Sequence, residues 1–190
     1  MLEASTEGYF RLLASHSTLI SRYLTLSHVI SPSLTQSHRA GLGIWLLWIV
    51  AIGVPLLMNR FSDYAGTYDD ACNDPAQPFT QVEDARYSTN HAAIGCLLAR
   101  NWGLSSDVSW AILHHHHDYT VLADPSTDDA IRSLVALSLL AEKGIQRYHG
   151  NSTSLEWDKG GELACQHLGL SQEEAADLLD ELHEMFDTDH

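Results

Sequence analysis

Residues 88–119 read STNHAAIGCLLARNWGLSSDVSWAILHHHHDY, and the punctuation inside this stretch decides the fold class. Ile94, Leu97, Leu98 and Trp102 recur on one face at helical spacing. Gly103 followed by Leu104 matches a left-handed helix stop with its apolar contact. The pattern predicts a helix from about Thr89 to Trp102. Ser105 then supplies a side-chain oxygen to cap a second helix, which carries Val108, Ala111, Ile112 and His115. The two make a tight pair, and the second runs into four consecutive histidines, His114 to His117.

Working outward, TDDAIRSLVALSLLAEKGI (127–145) places acidic residues at the positive end of a helix. It is apolar on most sides through Leu134, Val135, Leu137, Leu139 and Leu140, so it is expected to be central and buried. HLGLSQEE (167–174) repeats the same punctuation: Gly169 as stop, Leu170 as packing residue, Ser171 as cap and Glu174 completing a capping box. The last helix then buries Ala175, Leu178, Leu179, Leu182 and Phe186 and turns Glu173, Asp177, Asp180, Glu181 and Glu184 to solvent. Upstream, residues 9–30 fit a helix through Leu12, Leu13, Leu19, Ile20, Tyr23 and Leu24, with Ser31-Pro32 as its stop. AGTYDDACNDPAQPF (65–79) has two prolines, acidic residues and no period, and reads as an exposed loop between two helical halves. No run shows the alternation and turn dipeptides of a hairpin, so the expectation is an all-α, compact multi-helix bundle. One domain over residues 1–190 suits the length.

Composition narrows the function classes. A formal charge of −15 with only ten Lys and Arg argues against a broad basic surface for nucleic acid or anionic lipid. Cys72, Cys96 and Cys165 form no CxxC pair, which fits neither a disulfide framework nor a zinc knuckle and points to a reducing cytoplasm. GLGIWLLWIVAIGVPLLM (41–58) sits at the lower length limit for a membrane span. Gly53-Val54-Pro55 is expected to break it near Ile52, leaving a buried core helix, a turn and a second apolar piece. Glu3 and Glu7 interrupt any leader-like apolar run at the start.

Successive residues of a helix turn by about 100°, so the four histidines cannot all meet one ion. Two of them facing inward, beside a helix bearing His91, would bring two or three imidazoles together in a transition-metal arrangement if a carboxylate joined. The competing reading is a polar helix end interacting with the dipole. Cys96 on the His91 helix, with Ile94 and Leu97 as neighbours, reads as an inert buried thiol. Trp45, Trp48, Trp102 and Trp110 read as core residues rather than base-stacking platforms in so acidic a chain.

Residues 82–119, VEDARYSTNHAAIGCLLARNWGLSSDVSWAILHHHHDY, resemble the second half of an HDOD domain. His91, Gly95, Leu98, Trp102-Gly103-Leu104 and the His-His-Asp-Tyr ending carry the likeness, and LLAE (139–142) follows where the family's next core helix comes. The resemblance implies an all-helical HD-like fold and a bacterial signal-transduction role, in a family related to metal-dependent phosphohydrolases. That superfamily collects a His, an adjacent His-Asp pair, further histidines and a late Asp, because hard cations need carboxylates as well as imidazoles. The family pattern GLLHDIG falls within WLLWIVAIG (45–53), which puts Val50 and Ala51 in place of the His-Asp pair; Glu142 stands for the late Asp.

The residual metal candidates are therefore His91, His116, His117 and Glu142, with His115 and His116 as the pair if Ala111-Ile112 anchors the alignment instead of Asp118-Tyr119. The bland counterpart is a set of hydrogen-bonded histidines inside a core inherited from an enzyme. The resulting expectation is a non-catalytic signalling or protein-interaction module with a degenerate metal site. It needs no cofactor and takes zinc or nickel only adventitiously. A divergent phosphohydrolase with a reduced mononuclear site is the alternative. The partner is expected to be a protein, a second copy in a homodimer included, and neither nucleic acid nor membrane. The likeness also implies that the family's preceding helical segment is lacking, the chain being either a fragment or a shortened relative, and the apolar surface so uncovered would seek such a partner.

Overall fold

A computed structural model of the chain describes residues 53–148, Gly150 and residues 154–187. Among these residues there is no strand, and the elements are helices throughout. Residues 53–60 form α1. The later helices are α2 (Tyr64–Cys72), α3 (Phe79–Tyr87), α4 (His91–Asn101), α5 (Ser106–His114), α6 (Asp129–Tyr148), α7 (Leu155–Leu168) and α8 (Gln172–Asp187), with a 3-10 turn at Tyr119–Ala123. The all-α expectation holds.

The local chemistry sets the helix ends as the residues suggest. Asn90 caps α4 by accepting the Ala93 N–H at 2.7 Å, and Gly103 ends it in the left-handed region with φ 74°. The Leu104 N–H then reaches back to the Ala99 carbonyl at 3.0 Å. Ser105 accepts the Val108 N–H and starts α5. Before α8, Ser171 and Glu174 exchange their backbone N–H groups reciprocally at 3.1 and 2.8 Å, the two halves of a capping box.

The core lies between the α4–α5 pair and α6–α7. Ala99, Val108, Ala111, Ile112, Leu122, Val135, Ala136, Leu139 and Ala164 form its buried cluster. α6 is central as expected, packing on α5, α7 and α8, and its Leu140 meets Leu178 and Leu179. Glu173, Asp177, Asp180, Glu181 and Glu184 of α8 face solvent as expected, while the side chains of Leu182 and Phe186 lie outside those described.

Two expectations need correcting. The stretch 65–79 is not a loop throughout: α2 occupies most of it, and the connection to α3 is 73–78. Tyr64, Thr67 and Ala71 recur at i, i+3 and i+7 and are buried, a helical face made partly of polar side chains. Nor is Gly53-Val54-Pro55 itself a turn, since residues 53–60 are helical through Pro55; the expected break near Ile52 lies outside the described residues. A Cβ on Gly53 would stand 2.2 Å from the His91 carbonyl oxygen, so this glycine is there for close approach to α4 rather than for a turn. Leu57 then buries itself completely. Among the described residues no helix is long and apolar enough to cross a membrane. The expected helix over 9–30, the apolar stretch before Gly53, and Val50-Ala51 lie outside the described residues.

Candidate functional site

His91 is the first residue of α4, His115 the C-cap of α5, and His116 the residue after it. The α4–α5 pair thus brings the start of one helix to the end of the other. One nitrogen from each of the three rings lies within 4.8 Å of the others, and the rings are 2%, 3% and 5% exposed in that order. Phe79, at the head of α3, closes the cluster, meeting His91 edge-on and stacking on His116 at a centroid distance of 5.4 Å.

Hydrogen bonding fixes two of the tautomers. The Glu83 carboxylate on α3, fully buried, accepts the Tyr64 hydroxyl on Oε1 and both the His91 backbone N–H (3.2 Å) and the His91 Nδ1–H (2.7 Å) on Oε2. The His115 Nδ1–H donates to the Ile112 carbonyl at 2.6 Å, a partner that can only accept. In neutral rings both Nε2 atoms then carry lone pairs, and they face one another at 3.1 Å. Burial drives the His115 pKa well below its ordinary value, with His116 and His91 adding to the effect.

His116 is held by carboxylates on both sides. Its Nδ1 lies 3.2 Å from Glu156 Oε2 on α7, and its Nε2 lies 3.4 Å from Glu142 Oε1 on α6. Burial lowers its pKa, but Glu142 and Glu156 outweigh that and raise it to about 10, so the ring is an imidazolium at neutral pH. Burial works the other way on Glu156, where His116, Lys159 and Tyr119 overcome it and bring the carboxyl to about 2. Tyr119 donates to Glu156 Oε2 at 2.7 Å, and Lys159 reaches Glu156 Oε1 at 2.7 Å and the Gln77 carbonyl at 2.6 Å. The polar network therefore joins α2, α3, α4, α5, α6 and α7 through one cluster.

Residues 48–118 match the HDOD domain family. The family is related to the HD phosphohydrolases. The match opens earlier than the likeness read from the residues, inside the apolar stretch, and it ends at Asp118. Glu142 thus lies beyond the matched HDOD residues. No curated protein matches the chain, and no solved structure does.

Within the residues that match the HDOD family the histidine register differs from the one anchored on Asp118-Tyr119. His115 and His116 turn inward, while His117 is exposed and His114 stacks on the half-exposed Trp110, centroids 4.8 Å apart and planes nearly parallel. α5 ends at His114, and the tighter turn after it rotates His116, not His117, toward His91. Of the sequence candidates, His91, His116 and Glu142 come together and His117 does not. Trp102 and Trp110 are half exposed rather than core residues. Cys96 is partly buried, and burial raises its thiol pKa.

Glu83, Glu156, Tyr64 and Tyr119 escaped the sequence reading. A buried carboxylate breaks the apolar pattern from which burial is read, and no spacing rule links Glu156 to a histidine forty residues away. The donor set itself, imidazoles with one carboxylate at the edge, suits zinc, nickel or another borderline transition ion better than magnesium or calcium.

Proposed function

We propose that this chain is a non-catalytic signal-transduction and protein-interaction module of HDOD type. The observation that carries the reading is the burial of the three rings: a hydrolytic centre must present its reacting face to a substrate, and these rings are at most 5% exposed. Val50 and Ala51, standing where the family relatives that hydrolyse phosphate have their His-Asp pair, offer no donor atom. The outer face supports a protein partner, since Leu97, Trp102 and Trp110 on the α4–α5 pair are each at least half exposed. That partner is a protein, a second copy of the chain included, which sedimentation at tens of micromolar reads directly.

The test is turnover. Incubation with manganese, iron or magnesium and generic phosphodiester and nucleotide substrates should give no hydrolysis above buffer. A second reading, a divergent phosphohydrolase on His91, His116 and Glu142, draws on one observation: the Glu142 side chain is 34% exposed, so one edge of the cluster reaches solvent. Metal-dependent hydrolysis that disappears in both His91→Ala and Glu142→Ala would establish that reading and overturn the first.

A further inference from the structure

We infer that the outer face of the α4–α5 pair is the interface of a two-fold symmetric homodimer, with Leu97, Trp102 and Trp110 at its centre and Arg100 of each copy facing Asp107 of the other. The inference rests on the interaction-module reading and names its partner. α4 and α5 run antiparallel, and each puts one side into the core through residues such as Ala99 and Ile112. On the other side Leu97 is 67% exposed and Trp102 and Trp110 are each 51% exposed, three of the four large apolar side chains that the described residues leave in solvent. Leu97 stands six residues before Gly103 and Trp110 six after Leu104, so the two lie level on neighbouring helices. Trp110 is also fixed in place, because the His114 ring stacks on it with planes 3° apart. A rigid indole loses little freedom on association and suits the centre of an interface.

Charge decides the occupant. The chain has 25 Asp and Glu against ten Lys and Arg, yet residues 91–117 hold only Arg100 and Asp107 of these. A basic partner would be drawn to the acidic faces, such as that of α8, and gains nothing from a neutral one. A second copy carries the same charge of −15 and approaches most easily where that charge is missing. The two charges that remain fit such a copy. They flank the turn between the helices without pairing: among the described residues Arg100 makes no ion pair, and Asp107 accepts the hydroxyl of its neighbour Ser106 but meets no cation. Under a two-fold axis a contact between Arg100 and Asp107 occurs twice, so one cation and one anion make the face its own complement.

Sedimentation equilibrium of the untagged full chain at tens of micromolar should give twice the mass of one chain. Trp110→Ser, checked for wild-type helical content, should raise the dimer dissociation constant at least about ten-fold. Leu56→Ser, at the fourth exposed apolar side chain, should leave it unchanged. Arg100→Glu and Asp107→Arg should each raise it, and the double variant Arg100→Glu/Asp107→Arg should bring it back to within about three-fold of the wild type, the signature of a direct contact between the two positions. Should Trp110→Ser not fold, Leu97→Ser takes its place with the same expectation. A wild-type chain that stays monomeric overturns the inference. So does a dimer that Trp110→Ser leaves as tight as before, or a double variant no tighter than the single ones. None of these outcomes touches the interaction-module reading, which falls to metal-dependent turnover instead.

Discussion

His91 Nδ1 and Glu83 Oε2 lie 2.7 Å apart, both side chains essentially removed from solvent, and the same oxygen also accepts the His91 backbone N–H. Glu83 therefore holds the ring and the first turn of α4 at once, while its other oxygen takes the Tyr64 hydroxyl from α2. A buried carboxylate with three donors stabilises only as long as all of them stay paired.

Glu83→Ala is expected to destabilise the fold by about 3–5 kcal/mol, because it strands the Tyr64 hydroxyl and the His91 Nδ1–H in the interior. Glu83→Gln keeps the volume and one acceptor, and is expected to cost about 1–3 kcal/mol. Urea unfolding of the two variants measures both, with Ala worse than Gln. Two values within about 0.5 kcal/mol of the wild type would mean that the network does not hold the helices together.

Two glycines give opposite signs for the same substitution. Gly53→Ala pushes a methyl group to 2.2 Å from the His91 carbonyl oxygen, a backbone atom that cannot move aside without shifting α1 from α4. A loss of about 1–3 kcal/mol or more is expected. Gly66→Ala, in the exposed part of α2 with nothing within 4 Å, should stabilise by about 0.4–1 kcal/mol. Thermal melts of the pair read the difference, and a stabilising Gly53→Ala would contradict the close approach of the two helices.

What could be read from the residues was what short-range chemistry controls. Gly103, Ser105, Gly169 and the Ser171–Glu174 box announce helix ends within four residues, and the helices begin and end there. α2 was not legible because its inward face includes Thr67, buried by a 2.6 Å bond to the Tyr87 hydroxyl rather than by apolar character. The histidine register hung on where α5 stops, and an error of one residue there exchanges His115 for His117 at the site. The carboxylates behind the rings depend on helices distant in sequence, and nothing local distinguishes Glu83 or Glu156 from a solvated glutamate.

The metal-free protein should show an acid limb set by Glu156. Its folded pKa of about 2 lies below its ordinary value of 4.5, so the stability it contributes is fully present above about pH 4.5 and disappears as pH falls toward 2. His116 runs the other way. Raised from 6.5 to about 10, it contributes fully below about pH 6.5 and loses that contribution as pH rises toward 10. Stability in chelator should therefore be greatest between about pH 4.5 and 6.5 as far as this pair is concerned, with Glu156→Gln flattening the acid limb. An acid limb unchanged in that variant would assign it to other carboxylates.

Cys72 offers a probe of the same interior from the α2 side. Burial pushes its thiol up to about 12, and Glu142 adds to the shift. At pH 8 the thiolate would be on the order of one part in ten thousand, against roughly a fifth to a quarter for an ordinary cysteine with pKa near 8.5. Alkylation with iodoacetamide at pH 8, followed by peptide mass analysis, should therefore leave Cys72 slower than Cys96 in the folded protein. In urea above the unfolding transition all three should react at similar rates. Because Cys72 lies on α2, which Glu83 ties to α4 through Tyr64, Glu83→Ala should hasten its labelling under native conditions well before Cys96 responds. Equal acceleration at both thiols would instead mean that the domain opens as one unit, with no separate loosening of α2.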